Sequence, residues 1–166
     1  MGERMSIKDV LGLKAGKVLE DGIELTHRYN LTAVLKGPDG KEKKRQVLSN
    51  QVQTAMKTHV ADRLADVGET AASHMGIGSG TGQGVGANIL ATQLTRQALD
   101  GSTPSHSAAV VTYHRTFAAG EGTGTVTEAG VFNDIAAGTM FLYNGSISFA
   151  KGAGDSLELT WTLTIS

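Results

Sequence analysis

The sequence contains no cysteine, and this absence excludes several kinds of chemistry at once. Disulfide bonds, thiolate metal ligands and a cysteine nucleophile all require that residue. Any stability beyond that of the hydrophobic core must therefore come from packing or from association. Aromatic residues are also few, with four Phe, three Tyr and one Trp. Most of them are needed for the core, which leaves little aromatic surface for a carbohydrate-binding groove.

The sequence also lacks a strong net charge and a long apolar run. The formal net charge of −1 indicates no overall attraction to nucleic acid or to an acidic membrane. No apolar run approaches the ~18 residues that span a bilayer, and the first residues lack the apolar core of a signal peptide. We therefore predict a protein made in, and soluble in, a cytoplasm, with neither nucleic acid nor membrane as a direct partner.

Glycine is abundant, with 22 residues in a chain of 166, and this composition favours turns and strands over helices. Residues 1–22 are interrupted by glycines and are predicted to form an extended N-terminal arm. Strict alternation from Ile23 to Lys36 predicts a long strand. The turn signal Pro38-Asp39-Gly40 predicts a hairpin with a second strand from Lys41 to Leu48.

The rest of the chain contains one convincing helical pattern and then further short strands. The helix is expected at about residues 50–67, with Ser49 or Asn50 as its cap and Gly68 as its end. A short strand is predicted next, then a glycine-rich loop, a short helix and further strands: strand 74–77, loop 78–86, helix 88–98, and strands 107–117, 122–132, 139–143, 146–149 and 157–166. This spacing predicts a mainly β protein, with a β-sandwich or jelly-roll-like domain over residues 23–166.

The glycine-rich loop contains the pattern Gly82-Gln83-Gly84-Val85-Gly86-Ala87, which fits G-x-G-x-x-A. A dinucleotide site would also need a βαβ unit and an acidic residue ~20 positions further on. No buried parallel strand follows the loop, and the ending of a phosphate-binding P-loop is missing. We interpret the loop as a flexible connection and predict no cofactor.

No catalytic or metal-binding pattern is present in the sequence. The five histidines, at positions 27, 59, 74, 106 and 114, include no pair with the helical spacing of a zinc enzyme. Ser79 is not part of a G-x-S-x-G elbow. We therefore predict that the protein is not an enzyme and has no catalytic or metal-ligating residues. The histidine spacing leaves open a metal site built between subunits.

The surface residues with the clearest interaction potential lie in two places. A basic run, Lys43, Lys44 and Arg45, lies on a predicted edge strand, where such cations most often block aggregation between sheet edges. The apolar residues Val10, Leu11 and Leu13 lie in the predicted arm, outside the predicted core. We name these six residues as candidate contacts with neighbouring chains.

From Ser73 onward, several distinctive segments follow one another along the chain. They are, in order, His74-Met75-Gly76-Ile77-Gly78-Ser79-Gly80-Thr81, Leu94-Thr95-Arg96, Val110-Val111-Thr112-Tyr113 with Thr116-Phe117, Gly122-Thr123-Gly124-Thr125-Val126-Thr127-Glu128-Ala129-Gly130-Val131-Phe132-Asn133, and Lys151-Gly152-Ala153-Gly154-Asp155-Ser156-Leu157 before a Thr-rich strand with Trp161. In this order they resemble a family of small virion structural proteins of tailed bacteriophages, and the Thr-Glu-Ala-Gly-Val-Phe-Asn segment is the most specific part of the resemblance.

The resemblance implies a capsid decoration (cement) protein, which binds the outer surface of the major capsid protein lattice and stabilises the head. It implies a homo-oligomer, with a trimer favoured over a dimer, located on the virion. The alternative is a structural component of the tail baseplate or fibre tip. A fibre shaft would show repeats, and this chain has none.

Overall fold

The computed structural model describes residues 25–26, 30–68 and 70–165, and for residues 25–26 it describes the backbone alone. Of these residues, 47% lie in strands and 8% in a helix, so the protein is mainly β, as the sequence predicts. All strand pairs among them are antiparallel. No helix among these residues is long and apolar enough to cross a lipid bilayer.

The largest sheet is built around the C-terminal strand of the domain. That strand alternates between apolar and polar residues, and its leucines and Trp161 are buried. The order across the sheet is β3 (Glu42–Leu48), β2 (Leu31–Lys36), β13 (Ser156–Ile165), β8 (Val110–Phe117) and β7 (Ser105–Ser107), with β1 (Leu25–Thr26) also paired to β13. The predicted hairpin of β2 and β3 is therefore confirmed.

A second sheet has five strands and a third has two. In the five-stranded sheet the order is β4 (Gln51–Val52), β11 (Met140–Asn144), β10 (Glu128–Phe132), β5 (His74–Gly78) and β6 (Gln93–Ala98). The two-stranded sheet pairs β12 (Phe149–Lys151) with β9 (Gly124–Val126).

One hydrophobic core joins side chains from all three sheets. Its members include Leu159 and Trp161 of β13, Val131 of β10 and Phe149 of β12. Burial in this core raises the pKa of Tyr113 to about 12. A smaller cluster of Leu90, Phe132, Met140 and Tyr143 lies on the opposite face of the five-stranded sheet. Val131 and Phe132 are consecutive in β10 and point to opposite faces, so Val131 belongs to the main core and Phe132 to the smaller cluster.

The helix is shorter than predicted. It spans Thr54–Leu64 and is called α1 here. The predicted cap at Ser49 or Asn50 is wrong, because Gln51 and Val52 pair with β11 and the helix begins only after Gln53. The helix ends four residues before Gly68, where the chain turns through left-handed backbone at Asp66 (φ 55°).

The single strand predicted at 107–117 is divided, because Ser107 belongs to β7 and the chain turns back through Ala108 (φ 48°) to pair with Val110 of β8. Three further segments differ because of partners distant in sequence. The helix predicted at 88–98 is wrong, because residues 93–98 form β6 and pair with β5. The single strand predicted at 122–132 is divided between β9 and β10, which belong to different sheets. The strand predicted at 146–149 is displaced toward Lys151, where pairing with β9 decides its position. In each case a partner distant in sequence determines the local structure.

Candidate interaction surface

The basic run lies on β3, which is an edge strand of the six-stranded sheet, as predicted. Each of its three candidate residues has a partner within the chain. Lys43 Nζ donates to Asp155 Oδ2 at 2.9 Å, and Arg45 donates to Glu42 at 2.7 Å. Lys44 Nζ donates to the carbonyl oxygen of Ser148 and lies 5.3 Å from the centre of the Phe149 ring.

These contacts hold the side chains of Lys43, Lys44 and Arg45, which we call the basic edge, while the charges of Lys43 and Arg45 stay accessible to solvent. The side chains of Lys43 and Arg45 remain about half exposed. An edge strand of this kind resists pairing with other sheet edges and can still contact an acidic surface. The other three candidate residues, Val10, Leu11 and Leu13, lie outside the described residues.

Asp155 links the basic edge to the turn before β13. Its carboxylate is nearly buried, accepts from Lys43 and also accepts from the Gly152 amide at 3.0 Å. The hydrogen bond from Lys43, followed by the one from Gly152, lowers the pKa of Asp155 below its usual value. The Asp155 carboxylate is therefore more stable ionised in the folded chain than in the unfolded chain.

We expect the Asp155→Asn variant to be less sensitive to acid than the wild type. A depressed carboxylate pKa contributes stability above the unfolded-state pKa of ~4, and this contribution is lost as the pH falls through the folded-state pKa. The measurement is the urea midpoint at pH 7 and at pH 3. The wild type should lose more stability between these pH values than Asp155→Asn; an equal loss would contradict the role of the Lys43–Asp155 pair.

The glycine-rich loop lies over the outer face of the five-stranded sheet and is held there by Glu128. This carboxylate is fully buried. Its oxygens accept hydrogen bonds from three backbone amides of the connection between β5 and β6: Gly80 at 3.1 Å, Ala91 at 3.0 Å and Thr92 at 2.7 Å. Hydrogen bonds from several backbone amides to one carboxylate are strong. Glu128 thus holds this connection near both of its ends.

The loop does not have the geometry of a dinucleotide site. The strand before it, β5, and the strand after it, β6, are adjacent and antiparallel, whereas that site needs a parallel βαβ crossover. Glu128 is not among the residues that the sequence predicts to be important. A signal was present, because an acidic residue beside an apolar run in a predicted strand must find donors if it is buried.

Gly80 is required by the close approach of the loop to Glu128, and this gives a testable contrast. A Cβ at Gly80 would lie 2.7 Å from Glu128 Oε1 and 2.5 Å from Ala91 Cβ, whereas a Cβ at Gly84 would contact nothing within 4 Å. We expect Gly80→Ala to cost about 1–3 kcal/mol of unfolding free energy and Gly84→Ala to change it by less than ~0.5 kcal/mol. Urea unfolding measures both, and equal effects would contradict this packing.

A charged network lies on the face of the six-stranded sheet that points away from the core. His114 Nδ1 is 3.0 Å from Asp100 Oδ2, and His114 Nε2 is 3.3 Å from Glu158 Oε1. Lys36 donates to Glu158 at 2.7 Å, and this hydrogen bond is the main reason that the pKa of Glu158 is lowered. Both ring nitrogens of His114 are therefore engaged, and the network connects strands β2, β13 and β8.

The histidines are not gathered into a metal site within the described part of the chain, where no group of three or more potential ligands is suitable for an ion. His106 is exposed on β7 and is paired with Val111. His59 stacks on Phe141 with ring centroids 4.6 Å apart. His27 lies outside the described residues.

The same outward face is rich in threonine. Thr32, Thr160 and Thr112 alternate with core residues on three adjacent strands, so their side chains point away from the core. Thr160 is directly opposite both Thr32 and His114 in the strand register. These threonines make the outward face of the sheet polar, as is usual for an antiparallel sheet with one face on the core.

Comparisons with known proteins found no match for this chain among family models, curated proteins or solved structures.

Proposed function

We propose that this protein is a virion structural protein of a tailed bacteriophage that decorates the capsid. In this proposal a β-sandwich or jelly-roll-like domain binds the outer surface of the major capsid protein lattice. The protein acts as a homo-oligomer, with a trimer favoured over a dimer, and it acts by binding and not by catalysis. It is made in the host bacterial cytoplasm and resides on the virion.

The proposal depends on the segments that resemble the phage family. Two of these segments, residues 74–81 and residues 122–133, are joined by hydrogen bonds in the fold. Thr127 Oγ1 donates to the Gly80 carbonyl oxygen at 2.8 Å, the Thr127 amide donates to Gly78, and Glu128 accepts from Gly80. The residues that carry the resemblance therefore lie close together in the fold, and the proposal rests on that resemblance.

A third family-like segment is also structural. Lys151, which is 1% exposed, donates to the Ala118 carbonyl oxygen at 2.8 Å, and burial lowers its pKa. Asp155, four residues later, holds the turn and pairs with Lys43. Lys151 and Asp155 thus stabilise the domain through contacts within the chain. In our proposal, other residues, on the exposed surface, contact the neighbouring subunits.

The mechanism we propose is stabilisation by ligand binding. A protein that binds the intact shell and not its ruptured form stabilises the shell by RT ln(1 + [L]/Kd), which is about 2.7 kcal/mol per site at a hundredfold excess over Kd. Each oligomer that bridges several capsid subunits also benefits from effective concentration, so modest contacts add up to firm binding.

A binding experiment with purified components tests the proposal. Phage heads that lack this protein are mixed with the purified chain and sedimented, and isolated tails serve as the comparison. We expect saturable binding to heads and a higher temperature for DNA release. Binding to tails alone would overturn the head assignment and favour the baseplate or fibre tip.

A charge-reversal variant tests whether the basic edge takes part. We expect Arg45→Glu to weaken head binding about tenfold, which corresponds to ~1.4 kcal/mol. The matched control is Lys57→Glu, which reverses a charge at an exposed position on α1. Equal binding of the two variants to heads would show that the basic edge is not part of the interface.

A further inference from the structure

A small cavity of about 250 Å³ lies beside α1 and opens to solvent. The helix contributes residues at positions i, i+3, i+4 and i+7, which lie on one face of a helix. The rest of the wall comes from the chain after the glycine-rich loop and from the connection between β10 and β11. The lining residues are Ala55, Thr58, His59, Asp62, Asn88 and Thr139. Polar side chains from three parts of the chain therefore surround one space.

The parts of the chain that form the cavity are held by hydrogen bonds. The amide of Thr54, at the start of α1, donates at 2.8 Å to the carbonyl oxygen of Val85, three residues before Asn88. The Thr139 amide donates to Asn133 Oδ1 at 2.7 Å within the connection between β10 and β11. A site that is already ordered loses little conformational entropy when a ligand binds.

Two of the lining side chains on α1 are also held in position. The ring of His59 stacks on Phe141 of β11, with the ring centroids 4.6 Å apart. Asp62 packs closely against Gly68, where an added Cβ would lie 2.5 Å from Asp62 Oδ2. No cation forms a salt bridge with Asp62 in the part of the chain that the structure describes. The cavity therefore presents one carboxylate whose charge is not neutralised by an ion pair.

The chemistry of the lining disfavours charged ligands. The Asp62 carboxylate repels an anion. A metal ion needs several ligands, and among the described residues no group of three or more His, Asp or Glu side chains is suited to hold one. An ammonium or guanidinium group can only donate hydrogen bonds, so it would leave the Asn88 amide nitrogen without an acceptor.

A neutral ligand with several hydroxyl groups matches the lining. A hydroxyl both donates and accepts, so it can pair with the hydroxyls of Thr58 and Thr139, with either end of the Asn88 amide, or with the Asp62 carboxylate. The methyl group of Ala55 adds carbon surface for the C–H groups of a ring. The volume is below the ~300–1,000 Å³ of sites for larger small molecules, which limits the ligand to about one ring.

We propose that this cavity binds a single neutral sugar unit, with Asp62 accepting hydrogen bonds from its hydroxyl groups and Asn88 donating to it. The few aromatic residues of the chain argue against a groove in which sugars stack on exposed rings. This cavity does not need such rings, because hydrogen bonds hold the sugar. The inference goes beyond the proposed capsid role and does not depend on it.

Titration of the purified, ¹⁵N-labelled full-length chain tests the proposal. The probes are glucose, galactose, mannose and N-acetylglucosamine, each also as its methyl glycoside. We expect at least one to shift the amide signals of α1, Asn88 and Thr139 saturably, with a Kd of about 1–10 mM for a ligand of this size. Binding of the methyl glycoside indicates the terminal unit of a glycan, whereas binding of the reducing sugar alone indicates a free sugar.

A pair of variants tests the role of the carboxylate. Asp62→Asn should weaken sugar binding about tenfold, because hydrogen bonds to a charged acceptor are the stronger ones. The matched control is Asp66→Asn, at an exposed position just after α1 with φ 55°, where asparagine is tolerated. This control should bind the sugar as the wild type does. Unchanged amide signals in the rest of the chain confirm that both variants are folded.

Three results would overturn the proposal. The first is the absence of shifts with every probe at about 50 mM, which exceeds the expected Kd. The second is an equal Kd for Asp62→Asn and Asp66→Asn. The third is a response of the cavity amides to calcium chloride or methylguanidinium but not to any sugar, which would identify a cation site instead.

Discussion

Replacement of Trp161 by alanine is expected to lower the free energy of unfolding by about 3–5 kcal/mol. Trp161 is fully buried at the centre of β13, where it is opposite Leu31 on one side and Tyr113 on the other. Its removal would leave a large cavity between strands that carry most of the core. Trp161 is the only tryptophan, so unfolding must be followed by circular dichroism.

The control for this variant is the next residue along the strand. Thr162 points to the opposite face and is partly exposed, so Thr162→Ala should change the unfolding free energy by less than about 0.5 kcal/mol. A loss below ~1 kcal/mol for Trp161→Ala, or equal losses for the two variants, would show that β13 is not the centre of the core.

Removal of the Glu128 carboxylate is expected to lower the free energy of unfolding by a similar amount. It should also increase hydrogen exchange at a few specific amides. Glu128→Ala deprives the amides of Gly80, Ala91 and Thr92 of their acceptor. Hydrogen bonds to a charged group contribute about 1.5–3 kcal/mol each, and we expect a total loss of at least about 3 kcal/mol. Hydrogen exchange should show lost protection at these three amides first.

An exposed glutamate provides the control for the second variant. Glu42 lies on the edge strand β3 and pairs with Arg45 at the surface, and such pairs contribute little to stability. Glu42→Ala should leave the exchange of all three loop amides unchanged. Unchanged protection in Glu128→Ala would contradict the conclusion that this carboxylate holds the loop.

The elements that could be predicted from the sequence are those whose pattern is local. In β2 and β13, alternating residues mark one buried face, and Pro38-Asp39-Gly40 marks the hairpin turn. These signals predicted a mainly β chain and the central strands of the six-stranded sheet. Alternation does not reveal which strands are neighbours, and so the pairing of β13 with β2 and β8 required the structure.

The elements that were predicted incorrectly depend on distant partners. Residues 93–98 form a strand because β5 offers them a ladder of hydrogen bonds, and Gln51 and Val52 join β11 instead of extending the helix. Local propensity does not show whether a segment will pair with a distant strand or form a helix. The same reason explains why the intramolecular partners of Lys43 and Lys44, which are more than a hundred residues away, could not be predicted.

The proposed capsid decoration role is tested most directly by cryo-electron microscopy of the intact particle that carries this chain. A decoration protein is expected to give regular density on the outer capsid surface, at three-fold or quasi-three-fold positions. Its exposed charges on β3 should then face the capsid or a neighbouring copy. Density at low copy number, confined to the tail, would contradict the decoration role and place the protein in the baseplate or fibre.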